Sequence, residues 1–223
     1  MSTTHTKRLP MLAMEGAMAR WYARTRGSAS QLDIYRKQAT SFTDSLPQDV
    51  EILEIAPGPG YFAVELARRG FRVTGLDISH SFVEIAARHA RREGVTADFR
   101  HGDVAAQPFP DGSFDVIVCQ AAFKNFREPV KALNEMRRVL RPGGVALIQD
   151  MNRDASTADI GVEVSRMGLS RRDALLTRLA LRGLRRRAYS AERFRRLAAA
   201  SDFTTCTIGA DGIGLEVRLT RTS

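Results

Sequence analysis

Glycines and carboxylates suited to holding a nucleotide-type ligand cluster within residues 50–77. A turn of sequence PGPG at residues 57–60 ends a short apolar run, and Asp77 stands nineteen positions after Gly58. Glycines let a ligand approach the backbone closely, and a carboxylate at this spacing can accept hydrogen bonds from ribose hydroxyls. The spacing therefore satisfies a loose form of the dinucleotide-binding fingerprint.

Glu54 narrows the kind of ligand that this turn suits. It lies just before the turn, where its negative charge would repel a pyrophosphate and would suit a cation. Asp103 supplies another carboxylate near the end of a later predicted strand. If the chain were a nicotinamide-dependent oxidoreductase, Glu54 and Asp103 would have no assigned role. The absence of a Tyr-x-x-x-Lys sequence also argues against that class of enzyme.

The elements around the turn form a βαβ unit. Residues 50–55 are β-prone and too few for an amphipathic helix, which indicates a buried parallel strand. Apolar residues return at roughly helical spacing over residues 61–69, and Gly70 is a natural helix stop. Residues 71–76 form a second strand with Asp77 at its C-terminal end. The unit thus joins a glycine turn to a distal carboxylate.

Three later motifs extend the pattern to about residue 150. They are Gly102-Asp103, the run FDVIVC at residues 114–119 and the run LRPGGVALI at residues 140–148. Together with the glycine turn, they resemble the class I (Rossmann-like) S-adenosylmethionine (SAM) dependent methyltransferases of the small-molecule type. This resemblance implies an α/β fold, a three-layer sandwich with helices on both faces of a twisted sheet. That sheet is expected to have seven mostly parallel strands and an antiparallel C-terminal hairpin.

The resemblance also implies which residues bind SAM, whose product is S-adenosylhomocysteine. Ala56 stands where the family has the first glycine of its turn, and we expect tighter geometry there without loss of binding. Tyr22 has an alternative role in packing its helix on the sheet. The implied cofactor-binding residues are Glu54, Ala56, Gly58 and Gly60 near the methionine part, Asp77 and Ile78 at the ribose, Asp103 and Val104 at the adenine, Gln120 after the fourth strand, and Tyr22 from the N-terminal helices.

Methyl transfer from a sulfonium is an in-line displacement, so the protein contributes mainly proximity and alignment. The loop after the fourth strand lies beside the methyl group in the family, and many members that resemble this chain have a histidine there. Here Lys124 and Asn125 are the candidate catalytic residues. Lys124 would orient an anionic acceptor, accept a proton, or merely extend to solvent. Phe123 and Phe126 form either an acceptor wall or core, and Asp150 is a candidate for substrate contact.

Composition predicts one structural domain in a reducing, cytoplasmic setting. A chain of 223 residues with 43% hydrophobic content can bury one substantial core. We predict an N-terminal helical cap at residues 1–46 and a SAM-binding domain at residues 47–223, with a basic helical insertion at about residues 155–189. Two distant cysteines indicate neither a disulfide framework nor a metal site. No apolar run is long enough for a membrane span, and the chain is expected to be a monomer or a homodimer.

Residues 166–196 carry eleven arginines against two acids, a balance of +9 that equals the net charge of the whole chain. Leucines interleave with these arginines, which predicts basic amphipathic helices. Three interpretations stay open: a solvated helix surface with ordinary leucine packing, contact with an anionic acceptor or anionic membrane face, or RNA binding. The segment lacks the aromatic platform of a single-strand RNA reader, which makes nucleic acid the least favoured partner.

The sequence therefore predicts an enzyme, a SAM-dependent methyltransferase acting on a small-molecule acceptor. Three alternatives remain at this stage. SAM can be cyclised or cleaved instead of donating its methyl group, the cofactor can be NAD(P), or the chain can be a SAM-binding RNA-associated protein.

Overall fold

The computed structural model describes residues 14–44 and 46–222, and its centre is a seven-stranded sheet. Strand order across the sheet is β3-β2-β1-β4-β5-β7-β6. Strands β1 to β5 are parallel, and β7 is antiparallel to both of its neighbours. This confirms the predicted fold class. The strands are β1 (Glu51–Ile55), β2 (Arg72–Asp77), β3 (Asp98–His101), β4 (Phe114–Gln120), β5 (Leu140–Met151), β6 (Thr205–Asp211) and β7 (Gly214–Thr220).

Helices cover both faces of the sheet because its central strands are apolar on both sides. One buried cluster joins the sheet to α5 and α8, and a second joins it to α2 and α3. A short 3₁₀ turn, Phe123–Asn125, follows β4. The helices are α1 (Gly16–Arg26), α2 (Ala29–Thr43), α3 (Tyr61–Arg68), α4 (His80–Arg92), α5 (Pro129–Val139), α6 (Thr157–Arg166), α7 (Arg171–Arg187) and α8 (Ala191–Ala199).

The structure corrects the predicted start of α4. Sequence spacing favours a capping box that begins at Ser81, whereas Ser79 is the N-cap and its hydroxyl accepts a hydrogen bond from the Phe82 N–H. Ser79 has the extended backbone that an N-cap requires. The Ser81 hydroxyl instead accepts from the Gly16 N–H at the start of α1.

The N-terminal helices are seated on the N-terminus of α4. The Glu15 carboxylate accepts hydrogen bonds from the N–H groups of His80 and Ser81, each at 3.0 Å, and the Ser79 hydroxyl donates to the Met14 carbonyl. A carboxylate is stabilised at a helix N-terminus by the free N–H groups there. Hydrogen bonding by the Ser81 side chain and then by the Ser81 backbone lowers the pKa of Glu15. Within the predicted N-terminal cap, the sequence favours a first helix over residues 11–26. That helix begins at Gly16, and residues 11–13 lie outside the described part of the chain.

Candidate active site

The site lies where β1 and β4 run side by side and their connections leave in opposite directions. In open α/β sheets, this switch point at the carboxyl ends of the strands is where ligands bind. Ala56 and Ala121, the residues that follow the two strands, both have a φ of 56°. Few non-glycine residues adopt this conformation. The Ala56 N–H donates to Leu76 and the Ala121 N–H to Gln149, so the neighbouring strands hold both bends.

Two joined cavities open at this switch point. The larger has a volume of about 840 Å³ and the smaller about 470 Å³. Five residues border both of them, so the two cavities adjoin each other. The shared residues are Tyr22, Ala56, Gly58, Gln120 and Ala121.

The smaller cavity brings together the residues predicted for the nucleoside half of the cofactor. Asp77, Ile78, Asp103 and Val104 all line it. Asp77 is buried, and its two carboxylate oxygens accept hydrogen bonds from the N–H groups of Gly58 at 3.0 Å and Ser79 at 2.9 Å. Burial raises the pKa of Asp77, opposed by these two bonds. The carboxylate therefore positions the glycine turn while facing the cavity.

The two glycines of the turn have different roles. Gly58 has a φ of 54°, and a Cβ placed there would meet no atom within 4 Å, so its backbone lies open to the cavity. Gly60 lines neither cavity. A Cβ at Gly60 would lie 2.7 Å from the Ala86 Cβ and 3.0 Å from the Phe99 ring. The structure thus assigns Gly60 to close packing of the turn against α4, where a cofactor contact was expected.

Glu54 is a buried carboxylate at the inner end of the larger cavity. The backbone of Ala63 in α3 donates a hydrogen bond to it, but its Oε2 atom has no hydrogen-bond partner among the described residues. Burial raises the pKa of Glu54 to about 8, opposed by the Ala63 bond and reinforced by Asp77. An unsatisfied buried acceptor carries a free-energy cost. A cationic ligand group would remove that cost by pairing with the carboxylate.

The raised pKa makes a prediction about folding stability. A carboxyl whose folded-state pKa lies above the unfolded value stabilises the fold fully below the unfolded pKa, here 4.5, and loses that contribution as the pH rises through about 8. In urea unfolding at pH 5, 7 and 9, the native chain should therefore lose stability relative to Glu54→Gln as the pH rises. Glu84→Gln, at an exposed glutamate of α4, is the matched control and should track the native chain. Parallel curves for Glu54→Gln and the native chain would show that Glu54 ionises normally.

Lys124 and Asp150 form a buried ion pair at the larger cavity. Their side chains are each 7% exposed, and Lys124 Nζ lies 2.7 Å from Asp150 Oδ1. Lys124 Nζ also donates to the carbonyl of Ala121. Asp150 accepts further hydrogen bonds from the N–H groups of Lys124 and Met151. The pair fastens the loop after β4 to the end of β5, and it rules out the solvent-extended lysine that the sequence left open.

The remaining predicted residues separate into cavity and core. Phe123 is fully buried and packs against the rings of Tyr189 and Phe194, with centroids at 5.7 Å and 4.8 Å. Of the two interpretations left open for Phe123, the structure supports core. Phe126 and Asn125 line the smaller cavity, away from the Lys124–Asp150 pair.

A row of hydrogen-bonded polar side chains at one end of three neighbouring strands was not predicted from the sequence. Gln120, Gln149 and Glu216 lie in register on β4, β5 and β7. Gln120 donates to Gln149 at 2.9 Å, and Gln149 donates to Glu216 at 2.9 Å. All three line the larger cavity. No local motif carries this signal, because the row exists only when three strands pair.

The N-terminal helices also supply residues to the larger cavity. Tyr22, Arg26 and Tyr35 line it from α1 and α2. Arg26 donates to the Tyr22 hydroxyl at 3.3 Å and to Gln31 at 3.0 Å, which orders this wall. Tyr22 also packs edge-on against Phe82 of α4, with ring centroids at 5.7 Å. Tyr22 therefore packs against α4 and also lines both cavities, and its contact with a cofactor stays a prediction.

Known protein families share this arrangement. Residues 53–148 match the family model described as a methyltransferase domain. Over these residues, the chain is similar to the class I SAM-dependent methyltransferases. The demethylmenaquinone methyltransferase of Thermus thermophilus is 42% identical over 95 residues, which cover 42% of this chain and 43% of that protein. The chain spans about half the length of the curated relatives it matches.

Solved structures agree with the methyltransferase fold. A SAM-dependent methyltransferase from Aquifex aeolicus superposes with a TM-score of 0.69 at 15% identity, covering 91% of this chain and 98% of that one. The [4+2]-cyclase SpnF is 30% identical, with a TM-score of 0.52 and coverage of 56% of this chain and 46% of that one. The fold is therefore shared along nearly the whole chain, whereas the family model spans residues 53–148.

SAM, the cofactor of this methyltransferase family, fits the residues present. The orphaned Glu54 oxygen suits a cationic group, and the open backbone at Gly58 admits a close ligand. In residues 14–44 and 46–222, no group of three or more His, Cys, Asp or Glu side chains is placed to hold a metal ion. None of the helices in the same residues is both long and apolar enough to cross a membrane.

Proposed function

We propose that this chain transfers a methyl group from SAM to the ring of a small quinol-type acceptor held in the larger cavity. The observation that carries the proposal is the placement of Glu54 and Asp77 in two joined cavities at the switch point of a methyltransferase sheet. When bound, SAM supplies an electrophilic methyl group on a sulfonium centre. Every other requirement of the reaction falls on residues of this chain.

In this proposal, the smaller cavity holds the adenosine. Asp77 accepts hydrogen bonds from the ribose hydroxyls, with Ile78 beside it, while Asp103 and Val104 contact the adenine edge. Glu54 pairs with the cationic part of the cofactor at the other end. Gln120 and Tyr22 border both cavities, so they define the passage through which the methyl group faces the acceptor.

The larger cavity suits a flat, partly polar acceptor. Its volume of about 840 Å³ lies within the range of small-molecule sites in proteins. Leu181, Leu184 and Leu215 give it apolar walls, while the Gln149–Glu216 bond gives it a polar edge. The Thermus thermophilus relative acts, by its name, on demethylmenaquinone. A quinol ring combines the same apolar faces with ionisable hydroxyls.

Glu216 is the group proposed to accept the hydroxyl proton of the acceptor. The ring carbon then bonds the methyl group as the methyl–sulfur bond breaks, and the proton of that carbon moves to the ring oxygen, which restores the hydroxyl. The oxygens of Asp150 are less available to an acceptor because Lys124 and two backbone N–H groups already bind them. Glu216 is exposed, and its Oε2 atom accepts a single hydrogen bond, from Gln149. Lys124 is then a positioning residue that holds the loop beneath the methyl-transfer site, and Asn125 faces the nucleoside side.

The likeness to the [4+2]-cyclase SpnF motivates a second candidate function, catalysis of a cyclisation. The 30% identity between SpnF and this chain supports keeping this candidate. The polar edge made by Gln149 and Glu216 favours methyl transfer, because ionisation of an acceptor requires such a group.

The proposed activity is tested with SAM labelled in the methyl group and a panel of acceptors. We expect label in 1,4-naphthoquinol and in a short-chain demethylmenaquinol, and none in simple alkylamines. Glu216→Gln should lower kcat by about a hundredfold, in the range for removal of a general base, with unchanged SAM affinity. Glu192→Gln, at an exposed glutamate of α8, is the matched control. SAM binding without label in either quinol would contradict the proposal.

A further inference from the structure

Helix α7 exposes leucines to solvent, although the helices before and after it in the sequence, α6 and α8, both have buried apolar residues. None of its residues is buried. Leu175, Leu176 and Leu179 are 59%, 64% and 54% exposed. At positions i, i+1 and i+4, they share one side of a helix. We call these three leucines, together with Arg172 and Arg186 on the same side, the α7 outer face.

Arginines surround this apolar strip. Seven of the seventeen residues of α7 are arginines, against a single acid, Asp173. Asp173 is engaged at the helix start, where its carboxylate accepts a hydrogen bond from the Ser170 hydroxyl. The opposite side of α7 faces the protein: Leu181 and Leu184 line the larger cavity, and Arg185 donates to the Ala155 carbonyl at 2.6 Å. The outer face is therefore the side without a partner in the described structure.

We infer that the α7 outer face docks on an anionic lipid bilayer, with the helix lying in the plane of the membrane surface. An apolar strip flanked by cationic side chains is the arrangement that an interfacial helix needs. Leucines enter the acyl boundary while arginine stems extend along it and keep the guanidinium groups among lipid phosphates. The concentration of the chain's whole net positive charge in residues 166–196 provides the complementary attraction.

The composition of the face disfavours other polyanions and a second copy of the chain. A single-stranded nucleic acid is bound by aromatic stacking surfaces, and α7 has no aromatic residue. Two copies meeting through this face would bring their arginines together and repel each other. A phosphate-only ligand would leave Leu175, Leu176 and Leu179 in water.

Docking in this orientation would bring the mouth of the larger cavity to the membrane. Leu181 and Leu184 on the inner side of α7 border that cavity, so one helix joins the lipid surface to the site. Entry of a lipophilic acceptor by this route rests on the proposed function. The docking itself does not, because it is measured without SAM or acceptor.

The test is sedimentation of the full chain with vesicles. Vesicles of phosphatidylcholine with roughly one third phosphatidylglycerol should bind the chain at least about tenfold more tightly than pure phosphatidylcholine, and raised salt should release it. The variant Leu175→Gln/Leu176→Gln/Leu179→Gln keeps every charge and should bind the anionic vesicles about tenfold or more weakly. Arg172→Gln/Arg182→Gln/Arg186→Gln, which removes the two arginines of the outer face and the exposed Arg182 beside it, should weaken binding similarly.

The matched control removes the same charge elsewhere, with Arg88→Gln/Arg91→Gln/Arg92→Gln on the exposed side of α4. This control should keep most of the binding, and thermal unfolding shows that each variant is folded. Equal loss in the control and the α7 arginine variant would overturn the docking surface, since net charge alone would then explain binding. Unchanged binding of the leucine variant, or tighter binding to polyuridylate than to vesicles, would also overturn it.

Discussion

Asp77→Ala should lower the affinity for SAM by at least about a hundredfold. Two ribose hydroxyls lose a charged acceptor, at about 1.5–3 kcal/mol for each hydrogen bond. The same change removes the acceptor for the N–H groups of Gly58 and Ser79, so the glycine turn also loses its anchor on β2. Calorimetric titration of the folded variant with SAM measures the effect.

Asp98→Ala is the matched control for this experiment. Asp98 is a half-exposed carboxylate at the start of β3, paired with Arg100 at the surface, and its loss should leave SAM affinity unchanged. Asp77→Asn keeps the shape and removes the charge, so it should fall between the native chain and Asp77→Ala. Native affinity in Asp77→Ala would remove Asp77 from the cofactor site.

Lys124→Met should cost about 3–5 kcal/mol of folding free energy, the usual penalty for leaving one partner of a buried ion pair uncompensated. Asp150 would keep its charge at 7% side-chain exposure and lose the ammonium group 2.7 Å away. Urea unfolding at pH 7 measures the loss. Lys131→Met, which removes an exposed partner of Glu128, is the control and should cost no more than about 1 kcal/mol.

The double variant Lys124→Met/Asp150→Leu separates the ion pair from the packing of the side chains. Because both charges leave the interior together, it should be more stable than Lys124→Met alone. If the stability lost in the double variant equalled the sum of the losses in Lys124→Met and Asp150→Leu, the two residues would not be a coupled buried pair. Any loss of turnover should be judged only after correction for the folded fraction.

Local sequence patterns were sufficient to predict the sheet and the position of the glycine turn beside Asp77. The glycine turn, its flanking strands and Asp77 are contiguous in the chain, and the parallel arrangement follows from βαβ connectivity. The backbone conformation of Ala56 is a detail that the sequence did not predict. Its substitution for the family glycine predicts tighter geometry, and the structure gives the specific form, a left-handed bend at a φ of 56°.

The larger cavity was harder to predict because its side-chain contacts join strands that are far apart in the sequence and adjacent only in the folded sheet. The register of three paired strands brings Gln120, Gln149 and Glu216 together. Lys124, in the turn after β4, pairs with Asp150 near the end of the adjacent β5. No spacing in the sequence encodes these distances. The start of α4 differed for a related reason, since the Ser81 hydroxyl is taken by the backbone of α1.

Segment 166–196 shows how helical periodicity leaves burial undetermined. Its leucine spacing predicts an amphipathic helix, which α7 is, and was compatible with ordinary packing. The structure leaves Leu175, Leu176 and Leu179 largely in solvent. Periodicity identifies an apolar face of a helix, but it does not identify what covers that face.

One titration tests the cofactor site most directly. The purified full chain is titrated by calorimetry with SAM, S-adenosylhomocysteine and NAD in parallel. Because Glu54 and Asp77 are placed for a cationic adenosyl ligand, both adenosyl compounds should bind and NAD should not. Binding of NAD alone would contradict the roles given to Glu54 and Asp103, and with them the methyl-transfer proposal.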